Sequence, residues 1–253
     1  MAHGDFVWCD LSTFRPGTTK AFYSGLFGWG YSDASQPDGS CYHIAAADAG
    51  ERAGVFEMPE KFRKIGLPSF WMSYIEVDDV DAAIETAQLL GGKIELGPVP
   101  FSEPARLVLI RDPLGAGFTV CESAGLPARS PAPEPGEMAW NALYVSNASK
   151  VIDFYSALFG WQISPVPNQP GTWHARTDQG DVVSEIQQLP EAVRGKYEFW
   201  GVHFAVADHS AAKTFVTGRG GRILYEDRSS LLAEDPDGAA FFLVPADEFR
   251  HHA

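Results

Sequence analysis

Phe22–Trp29 reads FYSGLFGW, and Phe154–Trp161 reads FYSALFGW, so seven of eight positions are identical in two distant parts of one chain. Working outward, FWMSYIEVDDVDAA from Phe70 matches FWGVHFAVADHSAA from Phe199, and the two run on to GGK and GGR. DPLGAGF from Asp112 matches DPDGAAF from Asp235. Three paired blocks in the same order identify a tandem duplication. Between the copies lies AGLPARSPAPEPGE, Ala124–Glu137, whose Pro and Ala content builds no core and reads as a linker. The expected domains are therefore residues 1–123 and 138–253, joined by 124–137, each expected to fold alone.

Each copy divides again. Strand-like VWCDL precedes the helix that ends in LFGW, followed by the extended pieces SCYHIAAA and AGVFEM. Strand-like WMSYIEV then precedes the helix AAIETAQLL, followed by RLVLI and GFTVCE. The pattern is strand, helix and three strands, repeated four times: an α+β chain of four βαβββ modules. Pro16 suits a first helical position, Asn147 and Asp79 suit N-caps, and Gly28, Gly91 and Gly160 suit helix ends.

Composition narrows the partners. With 33 acids against 19 bases the net charge is −14, which repels phosphate backbones and anionic lipid heads. Nucleic acid and membrane surfaces are not expected partners. Cys9, Cys41 and Cys121 are too few and too scattered for a disulfide framework. With no signal-peptide pattern or bilayer-length apolar run visible, a cytoplasmic location is expected. A homodimer is compatible with everything in the sequence.

The helix end FYxxLFGW, the helix start VDDVDAA and the turn DPxGAxF resemble the vicinal oxygen chelate superfamily, which holds glyoxalases, bleomycin-resistance proteins and dioxygenases. The resemblance covers nearly the whole chain outside the linker and tails. It implies two tandem glyoxalase/bleomycin-resistance-like domains, in which paired modules curve their sheets around a cavity. The tandem arrangement is similar to a group of two-domain hydroxylase- or glyoxalase-like proteins. The resemblance also implies a divalent metal held by His, Gln or Glu on the first strand of each module and a carboxylate on a late strand.

Strand alternation shows which side chains would meet such a metal. Val7, Cys9 and Leu11 form the apolar face of the first strand and should cover the helix, which turns Trp8 and Asp10 into the cavity. The same reading turns inward Met72, Tyr74 and Glu76, then Trp140 and Tyr144, then Gly201 and His203. Counted from the FY pair, the family's ligand positions fall on Trp8, Met72, Trp140 and Gly201, and the late carboxylate falls near Thr119 and Phe242. None is a competent ligand, so no metal and no other cofactor is expected at these places. Glu57, at the end of the first module, remains where a carboxylate ligand would sit, and Asp10, Glu57 and Glu76 read as an acidic cluster or as rim acids. His43 and His174 read as equivalent positions, either displaced ligands or hydrogen-bonded strand residues.

What remains inward is aromatic. Trp8, Tyr74, Trp140 and Tyr144 offer flat area with one polar tip, which suits planar organic molecules or simply fills the cavity. Trp71 and Trp200 read as core. The expected ligand site comprises Trp8, Asp10, Glu57, Met72, Tyr74, Thr119, Trp140, Tyr144, His203 and Phe242. Two functions follow: metal-independent binding of a small aromatic metabolite or drug, or a hydroxylase, dioxygenase or lyase acting on an aromatic, polyketide-like substrate. For the second, His203 with Tyr144, or Glu57 with Asp10, would move protons. There is no P-loop, no GxSxG and no GxGxxG after a strand.

Overall fold

The computed structural model describes residues 3–35, 41–48, 50–102, 104–122, 125–192, 195 and 198–247. The domain-edge residues Ser123 and Ala124 and the C-terminal tail lie outside them. The first half contains β1 (Phe6–Thr13), α1 (Pro16–Phe27), β2 (Gly30–Ser35), β3 (Cys41–Ala47), β4 (Gly50–Glu57) and a short α2 (Glu60–Lys64). It continues with β5 (Phe70–Glu76), α3 (Val80–Leu89), β6 (Lys93–Ser102), β7 (Ala105–Arg111) and β8 (Gly117–Glu122). The second half repeats this as β9 (Met138–Val145), α4 (Ile152–Phe159), β10 (Gln162–Pro165), β11 (Thr172–Arg176) and β12 (Val182–Gln188). It ends with β13 (Phe199–Val206), α5 (His209–Gly218), β14 (Arg222–Glu226), β15 (Leu231–Glu234) and β16 (Ala240–Pro245). The chain thus holds two tandem glyoxalase-like domains, each with one eight-stranded sheet, ordered β2-β3-β4-β1-β5-β8-β7-β6 and β10-β11-β12-β9-β13-β16-β15-β14.

The helix ends follow their local chemistry. Pro16 opens α1, where a missing N–H costs no bond, and Gly28 and Gly160 close α1 and α4 in the left-handed region at φ 72° and 68°. Asp79 caps α3 by accepting from the N–H groups of Asp81 and Ala82. Asn147 caps a 3-10 turn, Ala148–Lys150, that precedes α4.

Compactness divides the chain differently from the repeat. One compact unit is residues 1–8, 73–129 and 140–201; the other is 9–72, 130–139 and 202–253. The divisions fall inside β1, β5, β9 and β13, and each unit takes material from both halves.

The repeated motifs explain this exchange. In one unit, Tyr155 of FYSALFGW donates to Asp112 of the first half's DPLGAGF at 3.0 Å and accepts from Trp200 Nε1 at 2.9 Å. In the other, Tyr23 donates to Asp235 of the second half at 3.2 Å and accepts from Trp71 Nε1 at 3.0 Å. Each aspartate spends its other oxygen on its own turn, Asp112 on the N–H groups of Leu114, Gly115 and Ala116, Asp235 on those of Asp237 and Ala239. The motif tryptophans reciprocate as well: Trp161 donates to Gly4 and Trp29 to Gly136, each at 3.2 Å. Trp71 and Trp200 are therefore core residues with a polar duty, as an indole N–H inside a protein needs an acceptor.

A further clamp belongs to one unit only. Asp237 accepts from Thr13 at 2.6 Å, Ser69 at 2.6 Å and the N–H of Phe14 at 2.9 Å, and it pairs with Arg15. Burial would raise its carboxyl, but these donors prevail and bring it down to about 2.

The linker is more than a tether. Its Arg129 N–H bonds to Phe6 O at 2.8 Å, and Gly136 N–H bonds to Ala205 O at 2.8 Å. Each half taken alone leaves one phenol and one carboxylate oxygen without its partner, and a buried polar group left unsatisfied costs about 1–3 kcal/mol. A chain divided within Ser130–Glu134 is thus expected to give insoluble halves when each is expressed alone and a soluble pair on co-expression. Two halves that each fold alone, with cooperative urea transitions, would contradict this.

Candidate functional site

Strands β11 and β12, with β9 from Trp140 onward, lie in one compact unit and build the polar, aromatic surface of the second half. Parallel pairing sets Glu185 beside Ala142 and Gln187 beside Tyr144, and antiparallel pairing sets His174 beside Glu185 and Thr172 beside Gln187. Residues paired across strands share a face, and their sequence neighbours take the other. Leu143, Val145 and Ile186 therefore form the buried core face, and Ala142, Tyr144, Thr172, His174, Glu185 and Gln187 the opposite one.

The rings on this surface are oriented. Tyr144 stacks on Phe199 with centroids 5.1 Å apart and planes at 23°. The half-buried Trp140 carries the Arg129 guanidinium 4.6 Å from its ring centroid. Arg129 is held there by Asn141 Oδ1 at 2.7 Å and Val183 O at 2.8 Å, and burial lowers its pKa to about 10, which leaves it charged at neutral pH. Glu185 and His174 are titratable groups of this face. Burial pushes the Glu185 carboxyl above the ordinary glutamate range, against the opposing bond from Gln187 Nε2 to Glu185 Oε1 at 2.6 Å.

Elsewhere the expected site residues separate. Asp10 pairs in register with Gly54, and Tyr42 donates to its carboxylate at 3.4 Å. A Cβ on Gly54 would lie 1.7 Å from the Tyr42 hydroxyl, so only glycine lets that phenol lie across the strand. Met72 is buried, and His203 stacks flat on Phe242 at 4.2 Å and 12°. In the unit that holds Glu185, Trp8 is buried, Tyr74 pairs with Thr119, and Cys121 donates to Glu76 at 3.6 Å. Trp8, Asp10, Met72, Tyr74, Thr119, Tyr144, His203 and Phe242 are all less than a tenth exposed.

Two readings need correction. Glu57 pairs with Thr13, and Thr13 bonds to Thr19 of α1, so Glu57 belongs to the helix side and is exposed there. Counting from the module's end hid this, because register and not distance from a motif decides the face. Nor are His43 and His174 equivalent. His43 pairs with Val55 on the helix side, whereas His174 pairs with Glu185 on the opposite face. The sequence reading missed Glu185, Gln187, Thr172, Phe199 and Arg129. Alternation in VVSEIQQ, where Ser184 and Ile186 are buried, was the available signal for the first two.

Residues 6–120 match the Glyoxalase/Bleomycin resistance protein/Dioxygenase superfamily, and residues 141–244 match the Glyoxalase-like domain. A Mycobacterium tuberculosis protein named "Putative glyoxylase CFP32" is 30% identical over 251 residues, covering 95% of each chain. The Streptomyces peucetius anthracycline biosynthesis protein DnrV is 28% identical over 270 residues, covering 98% of this chain and 95% of its own. Among solved structures, a Mn(II)-bound glyoxalase from Novosphingobium aromaticivorans superposes with a TM-score of 0.65 at 14% identity, over 100% of this chain and 86% of that one. An extradiol ring-cleaving dioxygenase from B. fuscum gives 0.62 at 13% identity, over 96% and 72%.

The donor set does not fit the family's metal. Two indoles, a thioether, a glycine, a hydroxyl and a phenyl stand at Trp8 and Trp140, Met72, Gly201, Thr119 and Phe242, and none offers the imidazole or carboxylate that a divalent ion takes. Glu185 is the carboxyl on this face whose pKa is displaced. Its raised folded pKa means that its favourable contribution is complete below the unfolded value and is lost as pH rises through the folded one. Glu185→Gln should therefore be as stable as the parent or more stable at pH 7, with this advantage shrinking below about pH 4. Urea unfolding across pH checks this; a Gln variant less stable at pH 7 would show an ionised, well-paired Glu185.

Proposed function

Because the chain belongs to the glyoxalase/bleomycin resistance/dioxygenase superfamily yet lacks that family's donors, we propose that it binds a small planar aromatic molecule without the usual metal. The site is the face of β9, β11 and β12 that bears Tyr144 and Glu185. The observation that carries this reading is the Tyr144–Phe199 stack beside a half-buried carboxyl and its Gln187 partner. Stacked rings recognise a flat apolar body, and aromatic pairs add about 0.5–1.5 kcal/mol beyond area burial. Glu185 and Gln187 supply a donor and an acceptor for a phenol or quinone oxygen, the few fixed polar groups such pockets use for orientation. The relationship to an anthracycline biosynthesis protein over nearly the full length supports an aromatic, polyketide-like ligand.

A second reading makes the same site catalytic, as a hydroxylase, dioxygenase or lyase acting on such a compound. The observation in its favour is the raised carboxyl of Glu185, since an acid poised nearer neutrality can both hold and release a proton. The Glu185→Gln variant separates the two: binding that survives with turnover lost identifies an enzyme.

Binding of a fluorescent anthracycline, followed by its emission, tests the site. Tyr144→Ala and Trp140→Ala, each shown to be folded by circular dichroism, should weaken it by about 1–3 kcal/mol, the range of a buried anchor. An affinity unchanged in both would make these rings filler.

A further inference from the structure

On the helix side of the first sheet, three side chains of metal-binding type converge. His43 Nδ1 lies 2.5 Å from Asp33 Oδ1 and 3.8 Å from Cys41 Sγ, and all three ligand atoms fall within 4.8 Å of one another. The hairpin fixes this arrangement. Asp33 pairs directly with His43 across β2 and β3, and Cys41, two residues from His43, projects to the same face.

The nitrogen is over-subscribed. Lys20 Nζ also approaches His43 Nδ1, at 3.3 Å, and one ring nitrogen cannot accept from an ammonium while donating to a carboxylate. One step beyond the Tyr42–Phe56 pair, Cys41 stands across from Glu57, and both line a surface depression with Phe14, Met58, Pro59 and Glu60. A fourth oxygen donor is thus on the same side of the same strands.

The duplication supplies an internal control. Ile44 pairs with Gly54 where His174 pairs with Glu185, which makes Trp173 the counterpart of His43. Pro165 pairs with Trp173, and Gly171 stands two residues before it. The second copy keeps the hairpin and none of the donors.

We propose that Asp33, Cys41 and His43 are three of the four ligands of a zinc site peculiar to the first half. A thiolate with an imidazole and a carboxylate suits Zn²⁺ and not Mg²⁺ or Ca²⁺. Binding releases the Cys41 thiol proton to solvent, gives the His43 lone pair to the metal and leaves Lys20 to the outer oxygen of Asp33. The site lies in the other compact unit from Glu185 and is independent of the aromatic site.

Cobalt titration of the reduced full-length protein tests it. The expected result is one Co²⁺ per chain with a thiolate-to-cobalt charge-transfer band and tetrahedral d–d bands, all removed by added Zn²⁺. Cys41→Ser should abolish the charge-transfer band, and Cys9→Ser and Cys121→Ser should keep it. His43→Ala should bind at least about tenfold more weakly, since even an outer partner's loss costs metal sites that much. A folded wild-type protein without the band, or a band that survives Cys41→Ser, would overturn the proposal.

Discussion

A phenol held between an indole N–H and a buried carboxylate, built twice, is the interaction on which the rest of the fold depends. Tyr23 and Tyr155 sit fully buried in the middle of such chains, and burial with the neighbouring aspartate pushes both hydroxyls well above the ordinary tyrosine range. Burial also raises Asp112, and it raises Asp235 to about 6. Such groups are expensive to leave unpaired, so each helix that ends in LFGW must find the other half's DPxGA turn. The two halves use one another as the subunits of an isologous dimer do, with residue i of one meeting residue j of the other and the reverse.

That constraint holds the frames alike and leaves the sheet surfaces to diverge. In the first half, Gly54 lets Tyr42 cross toward Asp10; in the second, Glu185 occupies the matching register position beside Ala142. His43 lies 33 residues after Asp10 and His174 lies 32 after the equivalent Ala142, and a one-residue offset exchanges faces. One copy thereby gained a histidine over its helix side, the other a histidine next to a half-buried glutamate.

Local and periodic features were legible in the sequence. The duplication, the helix starts at Pro16 and Asp79, the αL glycines and the core role of Trp71 and Trp200 each follow from short-range spacing or alternation. Alternation likewise set Tyr74 with Thr119 and His203 with Phe242 on shared faces. What failed depended on distance along the chain. The register of β4 against β1 removed Glu57 from the inward face, and a one-residue offset separated His43 from His174. Arg129 sits in a segment whose composition said only linker, and its place over Trp140 arises from partners on β9 and β12.

Binding of flat aromatic molecules on the face of β9, β11 and β12 is the function we propose for this frame. Backbone amide chemical-shift mapping of isotope-labelled protein during titration with an anthracycline tests it most directly. The account predicts the largest changes at Ala142, Tyr144, His174, Glu185 and Gln187. Changes concentrated instead at Asp10, Tyr42 and Met72, or around Cys41 and Glu57, would contradict it.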